Sequence, residues 1–178
     1  MATSIIEILG GRLNLESLVA KSQEIRSGRS VPAECLYEMV AQKGWRLQLQ
    51  PLSTGHFACD AWKKTLTVGL DMEGGSKNYR EHLHWMIAVG LGHIELLSHP
   101  RGVEGWDFEG EKAACEFALN LLLPPSLFES RADVIVLRQE SGTDEKSQWR
   151  RMCRLTRLAR HFQVPVACVK LALRRRRA

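Results

Sequence analysis

The stretch WMIAVGLGHIELLSH, from Trp85 to His99, decides how this chain is interpreted. Its first half is mostly apolar, which predicts the buried part of a helix that extends from about residue 79 to residue 97. Gly90 and Gly92 would each cost about 1 kcal/mol in an isolated helix, relative to alanine. We therefore expect a neighbouring element to pack tightly against the backbone at these two positions.

The same helix has the spacing of the zinc-peptidase motif H-E-x-x-H but lacks most of its residues. In that motif two histidines four residues apart share a metal ion, and the glutamate holds the attacking water and takes its proton. Here Val89 stands at the first histidine position, Gly90 at the glutamate position and His93 at the second histidine position. A site without its base and one ligand is not expected to hydrolyse peptides well.

The composition of the 178-residue chain predicts one domain of ordinary size with, at most, a small appendage. Hydrophobic residues make up 44%, but no run reaches the roughly 18–20 consecutive apolar residues that cross a bilayer. The N-terminal residues lack the basic region and cleavage site of a signal peptide. Five widely spaced cysteines without a C-x-x-C pair support neither a disulfide framework nor a thiolate zinc site. We therefore expect a cytoplasmic protein with reduced thiols.

Charge is divided unevenly along the chain. Residues 146–178 contain eleven of the 25 lysines and arginines and none of the 20 acidic residues, so residues 1–145 carry a net charge of −6. This asymmetry predicts a polyanionic partner or an internal contact between an acidic body and a basic tail. The candidate residues for binding nucleic acid or an acidic partner are Arg150, Arg151, Arg154, Arg157, Arg160, Lys170, Arg174, Arg175, Arg176 and Arg177.

Hydrophobic periodicity predicts helices around a small sheet. Before the central helix we expect helices over residues 13–27 and 32–42, and strands over residues 45–50, 56–62 and 64–70 that form an antiparallel sheet. After it we expect helices over residues 109–122, 147–162 and 165–175, the first of them stopped by Pro124 and Pro125.

Two further segments carry a family resemblance. The first reads EKAACEFALNLLLP from Glu111 to Pro124, and the second reads LARHFQVP from Leu158 to Pro165. Together with the altered H-E-x-x-H stretch, they resemble the ImmA/IrrE family of metallopeptidase-like proteins over residues 30–173. Cys115 replaces the asparagine of that family's signature E-x-x-A-N-x-F-A-x-x-L-L-x-P.

The patterning and the resemblance together predict an α+β fold. It consists of a helical zinc-peptidase-like core, a small antiparallel three-stranded sheet and a basic C-terminal helical pair. We expect a pseudo-peptidase domain over residues 1–140, with a helix-turn-helix-like region over residues 141–178 packed on it.

The resemblance implies roles for only two of the site residues. His93 stands at the second zinc-ligand position and Glu111 at the third, but Val89 and Gly90 leave no first ligand and no catalytic glutamate. A general base contributes about 10²–10⁴ in rate, and a catalytic zinc normally takes three protein ligands plus water. The resemblance therefore implies a pseudo-enzyme without a cofactor. The alternative is a zinc metallopeptidase whose rearranged site uses His93, Glu111 and His99.

Two simpler interpretations compete with these roles. His93 and Glu111 would form a hydrogen-bonded pair in the core, since buried polar groups commonly have partners. The C-terminal segment, which resembles a helix-turn-helix with its turn at Gln163 and Val164, would only complete the fold. As a DNA-binding unit, the same segment would place its second helix in the major groove while its cations neutralise phosphates.

Active members of the family are associated with cleaving helix-turn-helix repressors of mobile elements, such as phages, and of DNA-damage responses. We therefore expect a catalytically inactive regulator that binds such a repressor, or a related stress-response partner, through the groove around His93 and Glu111. One alternative is a repressor-cleaving metallopeptidase. Another is a regulator that binds DNA through its basic C-terminal region.

Overall fold

The α+β class is confirmed by the computed structural model, which describes residues 33–51, 57–70, 79–97, 108–140 and 142–175. Within these ranges there are seven helices and one three-stranded sheet. The helix expected over residues 13–27 lies outside the described residues. No helix among the described residues is long and apolar enough to span a membrane.

Within the described residues, the predicted helices and strands occur in the expected order, with two additional helices. The elements are α1 (Ala33–Gln42), β1 (Arg46–Pro51), β2 (Phe57–Asp60), β3 (Thr65–Leu70), α2 (Tyr79–Leu97), α3 (Phe108–Leu122), α4 (Pro125–Glu129), α5 (Ala132–Gln139), α6 (Glu145–Phe162) and α7 (Val166–Arg175). Helices α4 and α5 were not predicted, because segments of five and eight residues carry little periodicity. The proline at the start of α4 is compatible with a first helical turn, where a missing N–H costs nothing.

The sheet is mixed, so the prediction of a fully antiparallel sheet is wrong. Strand β3 is central: it pairs antiparallel with β2 and parallel with β1, where Leu47 lies opposite Leu66. Alternation of apolar and polar residues fixes which face of a strand is buried, but it does not fix the direction of its neighbour. As the central strand, β3 buries Leu66 and Val68 completely.

Helix α2 supplies much of the core, including the fully buried Ile87 and Ile94. One continuous cluster of buried side chains also takes in Leu158 of α6 and Val169 of α7. The described parts of the two predicted domains therefore share one core. A buried carboxylate near the end of α2, Glu95, forms an ion pair with Lys43 just after α1.

Candidate functional site

Helices α2 and α3 bring His93 and Glu111 together. The His93 Nε2 atom lies 3.0 Å from the Glu111 Oε2 atom. His93 is buried, whereas 49% of the Glu111 side chain is exposed. The arrangement is therefore a hydrogen-bonded pair that reaches from the core to the surface.

The close approach of α2 and α3 depends on Gly92. A Cβ atom added there would lie 2.8 Å from the Cα atom of Ala114 and 2.9 Å from its carbonyl oxygen. Real Cβ atoms do not approach a backbone so closely, so only glycine fits. The expectation that the two glycines of α2 allow tight backbone packing is confirmed, and at Gly92 this packing places His93 beside α3.

The positions that correspond to the missing catalytic residues are filled by the core. Val89 is only 2% exposed. A Cβ atom at Gly90 would lie 2.6 Å from the Cδ1 atom of Leu66, which projects from the central strand β3. The space that the Cβ atom of a glutamate would need at position 90 is therefore occupied by an aliphatic side chain.

Two further residues contact the pair and were not predicted as part of the site. The Cys115 thiol donates to Glu111 Oε1 over 3.7 Å, and the ring centroids of Phe57 and His93 are 5.3 Å apart. The spacing of four residues between Glu111 and Cys115 places them on one helix face, so this contact had a sequence signal. Phe57 had none, because its proximity arises from the way the sheet packs on α2.

Burial favours the neutral forms of the two groups that contact Glu111, the His93 imidazole and the Cys115 thiol. Burial lowers the pKa of His93 below its ordinary value, against the opposing effect of Glu111. Burial, assisted by the negative charge of Glu111, raises the pKa of the Cys115 thiol to about 11. A neutral imidazole and a protonated thiol thus each donate to one oxygen of Glu111. The thiol is therefore not an activated nucleophile, because the thiolate is the reactive form of cysteine.

The donors among the described residues are too few for a catalytic zinc ion. In the described part of the chain no three His, Cys, Asp or Glu side chains are grouped so as to hold a metal. His93 and Glu111 supply two donors, whereas catalytic zinc takes three protein ligands. His99, the third ligand of the rearranged site, lies outside the described residues. The absence of a cofactor stays a prediction.

We expect His93 to make the folded state less stable in acid. Because its pKa is lowered on folding, the unfolded chain binds the proton first, and the free energy of unfolding falls as the pH drops below 6.5 towards the folded-state pKa. The melting temperature of His93→Gln should therefore vary less than that of the wild type between about pH 7.5 and about pH 5.

Glu111→Gln provides the control for this titration. It removes the charge that opposes desolvation, so the pKa of His93 measured by NMR should fall further. An unchanged or raised pKa would show that Glu111 is not the group that faces the imidazole.

The predicted basic residues divide into two groups. Some are engaged within the chain: Arg151 donates to the Leu137 carbonyl, Arg154 pairs with Glu140 and Asp133, Arg157 pairs with Asp133, and Arg175 pairs with Glu116. Others are exposed: Arg150, Arg160, Lys170 and Arg174. Arg176 and Arg177 lie outside the described residues. The structure therefore contains the internal contact between acidic body and basic tail, but this contact uses only part of the basic charge.

Helix α6 ends at the turn that joins it to α7, with Gln163 at its C-cap. Gln163 has the left-handed conformation (φ 52°, ψ 48°), and the Val164 N–H bonds to the Ala159 carbonyl over 3.0 Å. These are features of the Schellman motif, which usually carries glycine at the left-handed position. The Gln163 carbonyl oxygen also lies 3.3 Å from His84 Nδ1, which joins the turn to α2.

We expect Gln163→Gly to stabilise the fold by about 1 kcal/mol, because a non-glycine residue in the left-handed region costs about 1–2 kcal/mol. A rise of about 2–4 °C in melting temperature would match this gain for a chain of this size. Gln163→Ala keeps the unfavourable conformation and should give no rise. Equal melting temperatures for the two variants would contradict the argument.

Neither a comparison with protein-family models nor a comparison with curated protein sequences finds a match to this chain. The likeness to ImmA/IrrE proteins therefore rests on three sequence segments: the altered H-E-x-x-H stretch, residues 111–124 and residues 158–165.

Proposed function

We propose that this chain is a catalytically inactive, cytoplasmic regulator of the ImmA/IrrE type that binds a helix-turn-helix repressor or a related transcriptional partner. The observation that carries the proposal is the packing at Gly90. The side chain of Leu66 lies where position 90, the general-base position of an active relative, would place its Cβ atom. Loss of such a base removes about 10²–10⁴ in rate.

The pair of His93 and Glu111 supports a binding role for the same region. The carboxylate of Glu111 is held by donors from His93 and Cys115 while half of its side chain is exposed. A carboxylate that is fixed by its neighbours loses little further entropy when a partner contacts it. The surface around Glu111 and the half-buried Phe57 is therefore the proposed groove for the repressor.

The test first establishes whether a gene next to the one for this chain encodes a helix-turn-helix repressor, and then combines that repressor with the full chain. Calorimetry should give a defined complex, and mass spectrometry should show an intact repressor after incubation with Zn²⁺. Glu111→Arg should weaken the complex by about tenfold or more, as charge reversal within an interface does. Glu145→Arg makes the same charge change at an exposed position on α6 and should have little effect.

Three outcomes would contradict the proposal. Cleavage of the repressor that stops with a chelator would identify a metallopeptidase with a rearranged site. A repressor that does not bind would remove the proposed partner. Equal loss of affinity in Glu111→Arg and Glu145→Arg would show that the groove is not the binding surface.

A further inference from the structure

A small cleft between α6 and α7 combines cations with an apolar floor. Its volume is about 190 Å³, and it is lined by Arg151, Leu155, Lys170, Leu173 and Arg174. Leu155 and Leu173 are buried and form the floor, whereas Lys170 and Arg174 are exposed one helical turn apart on α7.

The cations of this cleft are not neutralised within the described residues. Lys170 and Arg174 form no ion pair there. The carboxylates that pair with this part of the chain bind other arginines: Asp133 and Glu140 bind Arg154, Asp133 also binds Arg157, and Glu116 binds Arg175. Arg151 donates to the Leu137 carbonyl, but a guanidinium carries five N–H donors and keeps its charge. None of the described residues that line the cleft is acidic, so this lining is complementary to an anionic ligand.

The size of the cleft fits one side chain. A cavity of about 150 Å³ lined by apolar groups holds one benzene molecule, so 190 Å³ admits one leucine-sized group. A DNA backbone would offer phosphates to the cations but nothing to the floor. A peptide can offer both, with an aliphatic side chain over the leucines and carboxylates beside it.

We propose that this cleft binds an acidic peptide segment in which an aliphatic residue is flanked by aspartate or glutamate. The aliphatic side chain enters between Leu155 and Leu173, and the flanking carboxylates pair with Arg151, Lys170 and Arg174. This site goes beyond the proposed function, because it contains neither His93 nor Glu111 and does not depend on a repressor partner.

The test measures the binding of a fluorescein-labelled peptide, EEDLLEE, to the full chain by anisotropy at low salt. The peptide EEDAAEE, which has the same charge and no leucine, should bind at least about fivefold more weakly, because it leaves the floor uncovered. The double variant Lys170→Glu with Arg174→Glu should weaken binding of EEDLLEE by about tenfold or more.

A matched control separates the cleft from the general basic surface. Arg150→Glu with Arg160→Glu makes the same charge change at exposed positions on α6 outside the cleft. Binding of EEDLLEE should fall less than about threefold, as expected for charges at the rim of an interface. Circular dichroism should show that both double variants are folded, since all four residues are exposed.

The proposal would be overturned if the two double variants lost the same affinity for EEDLLEE, or if EEDLLEE and EEDAAEE bound equally well. Either result would mean that the peptide is held only by non-specific charge attraction. It would also be overturned if a 20-base-pair DNA duplex, and not the peptide, bound to the wild type and was released by the Lys170 and Arg174 substitutions. These outcomes leave the test with Glu111→Arg unaffected, so the two proposals fail independently.

Discussion

Gly90→Glu is expected to destabilise the fold by about 4 kcal/mol or more, which is within the range for burying an unpaired charge. Its Cβ atom would overlap Leu66, whose side chain is fully buried in the central strand, and its carboxylate would enter the apolar layer that contains Val89. Since domains of this kind have about 5–15 kcal/mol of stability, the loss removes a large part of the total. Urea unfolding monitored by circular dichroism measures it.

Leu66→Ala serves as the control for this prediction. On its own it should cost about 2–5 kcal/mol, as large-to-small substitutions in a core do. In the double variant the glutamate gains the space vacated by Leu66. The double variant should therefore lose less free energy of unfolding than the sum of the losses in the two single variants. If Gly90→Glu instead unfolded like the wild type, position 90 would accept a general base and the packing that supports the proposed function would be wrong.

Gly92→Val should destabilise the fold by about 3 kcal/mol or more, at the upper end of the usual cost of overpacking. The added side chain meets the Cα and carbonyl oxygen of Ala114, and backbone atoms cannot move aside unless the whole helix shifts. For a chain of this size the melting temperature should fall by about 6–12 °C. Because the shift separates α2 from α3, the hydrogen bond between His93 and Glu111 should also be lost.

A pair of alanine variants isolates the backbone effect. Gly90→Ala and Gly92→Ala add the same methyl group at sites of similar closeness, but the first meets the end of the Leu66 side chain and the second meets backbone. Helix propensity favours both changes by about 1 kcal/mol. Gly92→Ala should therefore be the less stable variant. If the order were reversed, the contact with α3 would not explain Gly92.

Much of the fold was predictable because long amphipathic segments carry a strong periodic signal. The bounds predicted for α2, residues 79–97, agree with the structure. The glycines of α2 also predicted close backbone contacts, and the structure supplies the neighbours, Leu66 at Gly90 and Ala114 at Gly92. What could not be predicted was the direction of β1, since a strand's alternation is the same whether its neighbour is parallel or antiparallel.

The candidate site was predictable only where the family resemblance assigns roles to residues. His93 and Glu111 were paired through the family resemblance, and their hydrogen bond occurs in the structure. Phe57 is far away in sequence and contacts His93 through the packing of the sheet on α2, which no local pattern encodes. The partners of Arg154 and Arg157 were missed for the same reason, because Asp133 lies on α5, a helix that was not predicted.

The internal pairing of Arg154, Arg157 and Arg175 has a consequence for how ionic strength acts on this protein. Binding of a polyanion releases the counterions condensed at each phosphate that a protein cation neutralises. An arginine already paired with a carboxylate neutralises no phosphate and so releases none. In a plot of the logarithm of the binding constant against the logarithm of the salt concentration, the slope becomes shallower by about 0.9 for each cation that is paired in this way. With three arginines paired in this way, the response to added salt should be about three units shallower than the eleven basic residues of the tail suggest.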